Sequence, residues 1–219
     1  MDTRTKEAIR YLGYGSKAVD DRTLKLISEA FTELDELADK RIVYRIFEFF
    51  VPDSEWIVVE HLNIHSKNLS KNMKGCEKAV LLGATLGSGV DRLIRRYSCM
   101  DMAKAVVVQA CAAAVLEEYL DEWQEDLRMR MERNGYYLRP RFSPGYGDFS
   151  IEHQEEFLRL LDSAKKIGLS MTGSSMLTPT KSVTAVIGLS RENTVCHKAG
   201  CEMCGKSDCS YRRDTVEKR

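Results

Sequence analysis

Apolar residues recur at helical spacing through much of this chain and give way to β-branched runs in three places. Leu24, Ile27, Phe31, Leu34 and Leu37/Ala38 share one face between Arg22 and Lys40, the mark of a helix packed on a core. Asp20 or Asp21 supplies its N-cap. A shorter helix, Thr5 to Tyr11, ends at Gly13 and Gly15. Arg41 to Val51 is β-branched and aromatic and predicts a strand, and Trp56 to Leu62 predicts another. Ser66 to Gly75 is polar and begins as a helix. Ala79 to Gly87 is a buried-strand pattern that passes through Gly87-Ser88-Gly89 into a helix, which breaks between Ser98 and Asp101. Asp101 is placed to cap the next helix.

Met102 to Arg133 is the longest helical pattern, about 48 Å if unbroken, and Gly135 stops it. Ser150 caps a further helix from Ile151 to Ile167, closed by Gly168. Leu169 to Met171 and Ser182 to Leu189 read as strands, the second alternating Val183, Ala185 and Ile187 with Thr184, Val186 and Gly188. The mixed order and late hairpin-like connections predict an α+β fold. Its mixed or antiparallel twisted sheet packs with helices, one of them long, and a small Cys-rich tail follows.

The apolar stripe of the long helix runs Val106, Ala110, Ala113, Leu116, Leu120, Trp123 and Leu127. Glu117 falls inside it, about 40° from Ala113, whereas Glu118 points away. A carboxylate facing a core needs a partner, because an unpaired buried charge is costly. Three readings stand open: a structural ion pair, a kink that exposes the acid, or contact with a ligand ammonium.

Arg141-Phe142-Ser143-Pro144-Gly145-Tyr146-Gly147 follows this helix. Pro144 restricts φ, and Gly145 and Gly147 permit the positive φ of a tight turn. Such a loop presents a planar cation beside an aromatic ring, able to clamp a carboxylate and stack a flat group. The alternative is a surface turn with Arg141 solvated and Tyr146 half-buried. His153, in the first turn of the next helix, reads as a hydrogen-bonding residue that fixes the loop rather than as a catalyst. Gly87-Ser88-Gly89 lacks both the dinucleotide spacing and a Walker lysine, so its glycines read as a close turn of strand onto helix.

Arg-x-x-Pro-Gly-Tyr followed by Glu152-His153 resembles the activation domain of cobalamin-dependent methionine synthase. The stretch Thr172 to Thr184 is similar to a second block of that domain, ending in small-x-x-Ser-Val-Ser, and lies at a matching interval. The resemblance covers Arg141 to about Ser190. It implies an S-adenosylmethionine-binding module, with no catalytic side chain of its own, that supports reductive methylation of cob(II)alamin. By position, Arg141 meets the ligand carboxylate and Glu117 its amino group. Tyr146 and the backbone near Ser143 and Gly145 hold the adenosine end. Where the family has Gly-Tyr-Pro and Trp-Pro, this chain has Gly145-Tyr146-Gly147 and Thr178-Pro179. No Asp-x-His-x-x-Gly cobalamin loop is present, so the implied cobalamin arrives on a partner. That partner is a cobalamin-dependent methionine synthase or other corrinoid protein, and an electron donor is implied with it.

Composition narrows the partners. The 219 residues carry 33 basic and 33 acidic side chains, for a formal net charge of zero. That balance gives no electrostatic case for nucleic acid or an anionic membrane. Arg212, Arg213, Lys218 and Arg219 offer a weak nucleic-acid reading that Asp208, Asp214 and Glu217 offset. No apolar run reaches membrane-spanning length and no signal-peptide core is present, so a cytoplasmic protein is expected.

Four of the seven cysteines, Cys196, Cys201, Cys204 and Cys209, crowd into fourteen residues beside His197. Soft ligands this close predict a bound metal, either zinc or an iron–sulfur cluster. Cys76, Cys99 and Cys111 read as small buried hydrophobes. The expected division is an activation-like domain over residues 1–190 and a metal-binding tail over 191–219. The competing function is a metal-binding interaction or electron-transfer protein with no S-adenosylmethionine site.

Overall fold

The computed structural model describes residues 1–14 and 18–193. Among these, the helices are α1 (Thr3–Tyr11), α2 (Asp21–Leu37), α3 (Lys67–Asn72), α4 (Ser88–Met100), α5 (Met102–Glu132), α6 (Gln154–Leu161) and α7 (Ser163–Ile167). The strands are β1 (Arg41–Phe50), β2 (Trp56–Val59), β3 (Leu62–His65), β4 (Cys76–Thr85), β5 (Tyr137–Leu138), β6 (Ser170–Met171), β7 (Leu177–Thr178) and β8 (Ser182–Ser190). The fold is α+β, with an antiparallel six-stranded sheet and one long helix.

Two compact units divide the chain. The helical unit holds α1, α2, α4 and α5 as far as Tyr119. Its N-caps are the expected ones: Asp20 accepts from the Thr23 N–H at 2.9 Å, and Asp101 from the Lys104 N–H at 3.1 Å. Ile27, Ala30 and Leu34 of α2 are buried, as is Cys111 of α5, whose Sγ lies 3.9 Å from the Ile27 carbonyl oxygen. Burial pushes the Cys111 thiol up to about 12, the behaviour of an inert core residue. Cys76 is half-buried and Cys99 exposed, so only Cys111 of the three is the buried hydrophobe expected.

The sheet unit holds all eight strands. Its main sheet runs β3-β2-β1-β4-β8-β5, and β6 pairs separately with β7. β4 lies between β1 and β8, with Val80 opposite Ile46 on one side and Ile187 on the other. Val43, Phe47, Ala79, Leu81 and Val186 join Phe149, Phe157, Leu161, Ile167 and Leu169 in one apolar core. On the other face of the sheet, Tyr44 meets Trp123, from the last turns of α5, edge to face at 5.2 Å.

Several expectations need correction. Trp56 to Leu62 is not one strand but a hairpin: Val59 pairs with Leu62, and Glu60 at φ 54° makes the turn between them. A two-residue turn without glycine leaves little trace in an apolar run. The helix expected from Ile151 to Ile167 is a 3₁₀ turn (Ile151–His153), then α6 and α7, broken at Asp162, which adopts φ 53°. Asp tolerates that left-handed conformation, and apolar residues on both sides of the break still reach the core. β8 is buried at every position from Thr184 to Ser190, as befits an inner strand, so its alternation does not separate a dry face from a wet one. Val106, assigned to the apolar stripe of α5, is 51% exposed, while its neighbours Val107 and Val108 are buried.

Candidate functional site

The Arg141–Phe149 segment is tied to the sheet at its start and to the core at its end. The Phe142 N–H donates to the Val186 carbonyl at 3.0 Å, and the Val186 N–H donates back at 2.8 Å. Three short bonds then close the turn: Gly145 N–H to the Phe149 carbonyl (2.7 Å), Tyr146 N–H to Ser143 (3.1 Å) and Phe149 N–H to Tyr146 (3.1 Å). Gly145 has φ 89° and Gly147 φ 60°, both in the region that disfavours a side chain. A Cβ on Gly147 would stand 2.7 Å from Asn68 Nδ2. Phe149 is buried and packs on Phe157 at 5.9 Å and His153 at 5.7 Å. Burial of an aromatic this size contributes about 1.5–3 kcal/mol, more than an exposed ion pair supplies.

Asp148 adds the longest-range tether. Its carboxylate accepts from the Ser66 hydroxyl at 2.5 Å and from the backbone N–H groups of Lys67 (2.8 Å) and Asn68 (3.2 Å). It therefore sits on the open N-terminal donors of α3, beside the Ser66 cap, which accepts from the Leu69 N–H at 3.0 Å. These donors, the Ser66 hydroxyl first, hold the Asp148 carboxyl below its ordinary range. Sequence reasoning passed over this residue, because its partners lie about eighty positions away and no local pattern marks them.

The loop presents the two side chains that sequence reasoning chose, in an arrangement opposite to a plain surface turn. The Arg141 side chain is only 19% exposed. Its Nη2 donates to Asp121 Oδ1 at 2.6 Å and its Nη1 to Gln124 Oε1 at 3.1 Å. Asp121 and Gln124 lie three residues apart on α5 and so share a face. Tyr146 is 63% exposed, its ring edge-on to Phe142 at 5.3 Å. A half-buried planar cation and an open aromatic ring therefore share one rigid turn, with Ser143 and Gly145 contributing backbone to it.

The second block meets the start of α6 through Gln154, which sequence reasoning also missed. Gln154 is buried. Its Nε2 donates to the Ser175 carbonyl at 2.8 Å, and its Oε1 accepts from Thr184 Oγ1 at 3.4 Å. His153 pairs through Nδ1 with Glu156 Oε2 at 3.3 Å, a contact within its own helical run and not to the loop, whose Phe149 ring it packs on.

Glu117 belongs to the helical unit and is half-buried rather than fully enclosed. Burial raises the Tyr11 phenol above its ordinary value, and the Glu117 charge pushes the same way. Glu118, expected to point away, is also half-buried and pairs with Arg4 at 3.2 Å. The turn at Gly87-Ser88-Gly89 follows the steric reading, since a Cβ on Gly89 would stand 2.8 Å from the Leu37 carbonyl oxygen. Cys196, Cys201, Cys204 and Cys209 lie outside the described residues. Among the described residues, no group of three or more His, Cys, Asp or Glu is placed to hold a metal ion, and no helix is long and apolar enough to cross a membrane.

This fold has a solved counterpart. The chain is similar to a crystal structure of the MetH reactivation domain bound to AdoHcy, with a TM-score of 0.62 and 16% sequence identity. The match covers 88% of this chain and 77% of that one. At this identity the likeness is one of fold. No protein-family model and no curated protein matches the sequence.

Proposed function

We propose that this protein binds S-adenosylmethionine on the Arg141–Tyr146 turn and serves as a reactivation module for a separate cobalamin-dependent methionine synthase. The half-buried Arg141 guanidinium and the exposed Tyr146 ring, five residues apart on a turn fixed at both ends, carry the reading. The fold shared with a reactivation domain bound to AdoHcy supports it. Arg141 takes the ligand carboxylate, for which its planar donors suit a two-point bond. Tyr146 and the backbone at Ser143 and Gly145 receive the adenosine end.

The role of this chain is positioning. Cobalamin, carried by the partner, supplies the methyl-transfer chemistry, and a separate donor supplies the electron that cob(II)alamin needs. The cysteines Cys196, Cys201, Cys204 and Cys209 are proposed as zinc or iron–sulfur ligands at the end of the module.

Calorimetry with S-adenosylmethionine tests the ligand. Micromolar binding is expected for the whole chain, and Arg141→Ala is expected to weaken it by about 10- to 100-fold, the worth of a charged hydrogen bond. Absence of heat at millimolar ligand overturns the reading. Methylation of partner-bound cob(II)alamin under reducing conditions, with and without this protein, tests the partner. Metal analysis of anaerobically purified protein tests the tail.

A further inference from the structure

The Arg141 guanidinium assigned to a ligand carboxylate already holds one from the protein itself. Asp121 Oδ1 lies 2.6 Å from Arg141 Nη2, and Gln124 Oε1 lies 3.1 Å from Nη1. The two partners differ sharply in exposure: the Asp121 side chain is 70% exposed and that of Arg141 19%. The cation is fixed by its loop and largely withdrawn from water, whereas the anion sits on a helix surface with solvent on most sides. Turning Asp121 outward returns it to water at little cost, because an exposed carboxylate in an ion pair forfeits at most about 1 kcal/mol. Taking an acceptor from a half-buried guanidinium costs more than returning an exposed carboxylate to water. Asp121 is thus the easier member of the pair to move.

We propose that Asp121 is a resident stand-in for the ligand carboxylate, and that binding is an exchange of one carboxylate for the other on Arg141. Gln124 is neutral and remains as an acceptor in both states. The exchange makes Asp121 a specificity-determining residue. A ligand with a free carboxylate replaces what it displaces, whereas an adenosine compound lacking that group leaves the Asp121–Arg141 pair intact and gains nothing from the cation. The site thereby discriminates S-adenosylmethionine and its demethylated product from 5′-methylthioadenosine. This inference rests on the S-adenosylmethionine reading above.

Titration of the full-length protein and of Asp121→Asn with S-adenosylmethionine and with 5′-methylthioadenosine tests the exchange. Asp121→Asn should bind S-adenosylmethionine about two- to fivefold more tightly, the range set by the strength of such a pair. Its affinity for 5′-methylthioadenosine should not change. In an Arg141→Ala background, Asp121→Asn should alter neither affinity. Unchanged or weaker binding of S-adenosylmethionine by Asp121→Asn, with binding by the unsubstituted protein intact, overturns the exchange and leaves the ligand assignment standing. Equal tightening toward both ligands also overturns it, since the effect would then come from the loop as a whole. Failure of every variant to bind S-adenosylmethionine sinks the parent reading and the exchange with it. Should Asp121→Asn prove unstable, Asp121→Ser gives the same comparison.

Discussion

Gly87-Ser88-Gly89 and Gly145-Tyr146-Gly147 share a sequence pattern, and the structure uses them for different ends. At the first, Gly87 takes φ 78°, and Gly89 answers crowding against backbone: it lets the start of α4 come against the end of α2, where a Cβ would meet the Leu37 carbonyl oxygen at 2.8 Å. The intervening Ser88 hydroxyl does no more than accept from the Arg92 guanidinium on the same helix, at 3.2 Å. At the second, both glycines take positive φ, 89° at Gly145 and 60° at Gly147, and the atom nearest a Cβ on Gly147 belongs to a side chain, that of Asn68. The intervening Tyr146 is pushed out to 63% exposure instead of being buried. A Gly-x-Gly pattern therefore marks a tight turn with an exposed middle residue in both places, and only the surroundings tell what that residue stands near.

Substitutions at the two turns should separate packing from presentation. Gly89→Ala is expected to have the largest effect on stability, lowering it by about 1–3 kcal/mol through overpacking against backbone. Its affinity for S-adenosylmethionine should be unchanged, as read by thermal melting alongside calorimetry. Gly147→Ala should cost about 1–2 kcal/mol for a side chain in the left-handed region, and should also weaken ligand binding severalfold. If the two variants lose affinity equally, the contrast between the turns fails.

Asp148→Asn should cost about 1 kcal/mol by weakening the bonds to the start of α3. It should also change the response to acid. The Asp148 carboxyl is held below its ordinary value of 3.8, so its contribution to stability is complete above that value. That contribution fades as pH falls through the lowered folded value, because the unfolded chain takes up the proton first. Melting temperatures measured from pH 6 downward, an interval of roughly four units, should therefore fall more steeply for the unsubstituted protein than for Asp148→Asn. The smallest effect is expected at Arg92→Ala, which removes an exposed contact to Ser88: under about 0.5 kcal/mol, with no change in binding. A large loss there would mean that the first turn carries more than packing.

Legibility of the chain followed the range of the interactions. Asp20 and Asp101 were readable as caps because the groups they satisfy lie three residues on. The long helix, its stop near Gly135 and the main strands were readable because periodicity is local. The hairpin turn at Glu60 and the break at Asp162 were not, since each hides inside an apolar pattern that continues across it. Arg141 and Tyr146 stood out through their place in a Gly/Pro turn. Asp148, which ties that turn to α3, and Gln154, which ties the start of α6 to the second block, stood out in no way.

The sequence alone determined the kinds of element, their caps and the stiffness of the turn between α5 and α6, because those depend on residues within a few positions of one another. Only the tertiary structure decided that Arg141 is withdrawn and Tyr146 exposed, that Asp121 occupies the cation, and that Asp148 reaches α3. Exposure and charge pairing depend on what the fold brings alongside from distant positions, and local pattern carries no record of it.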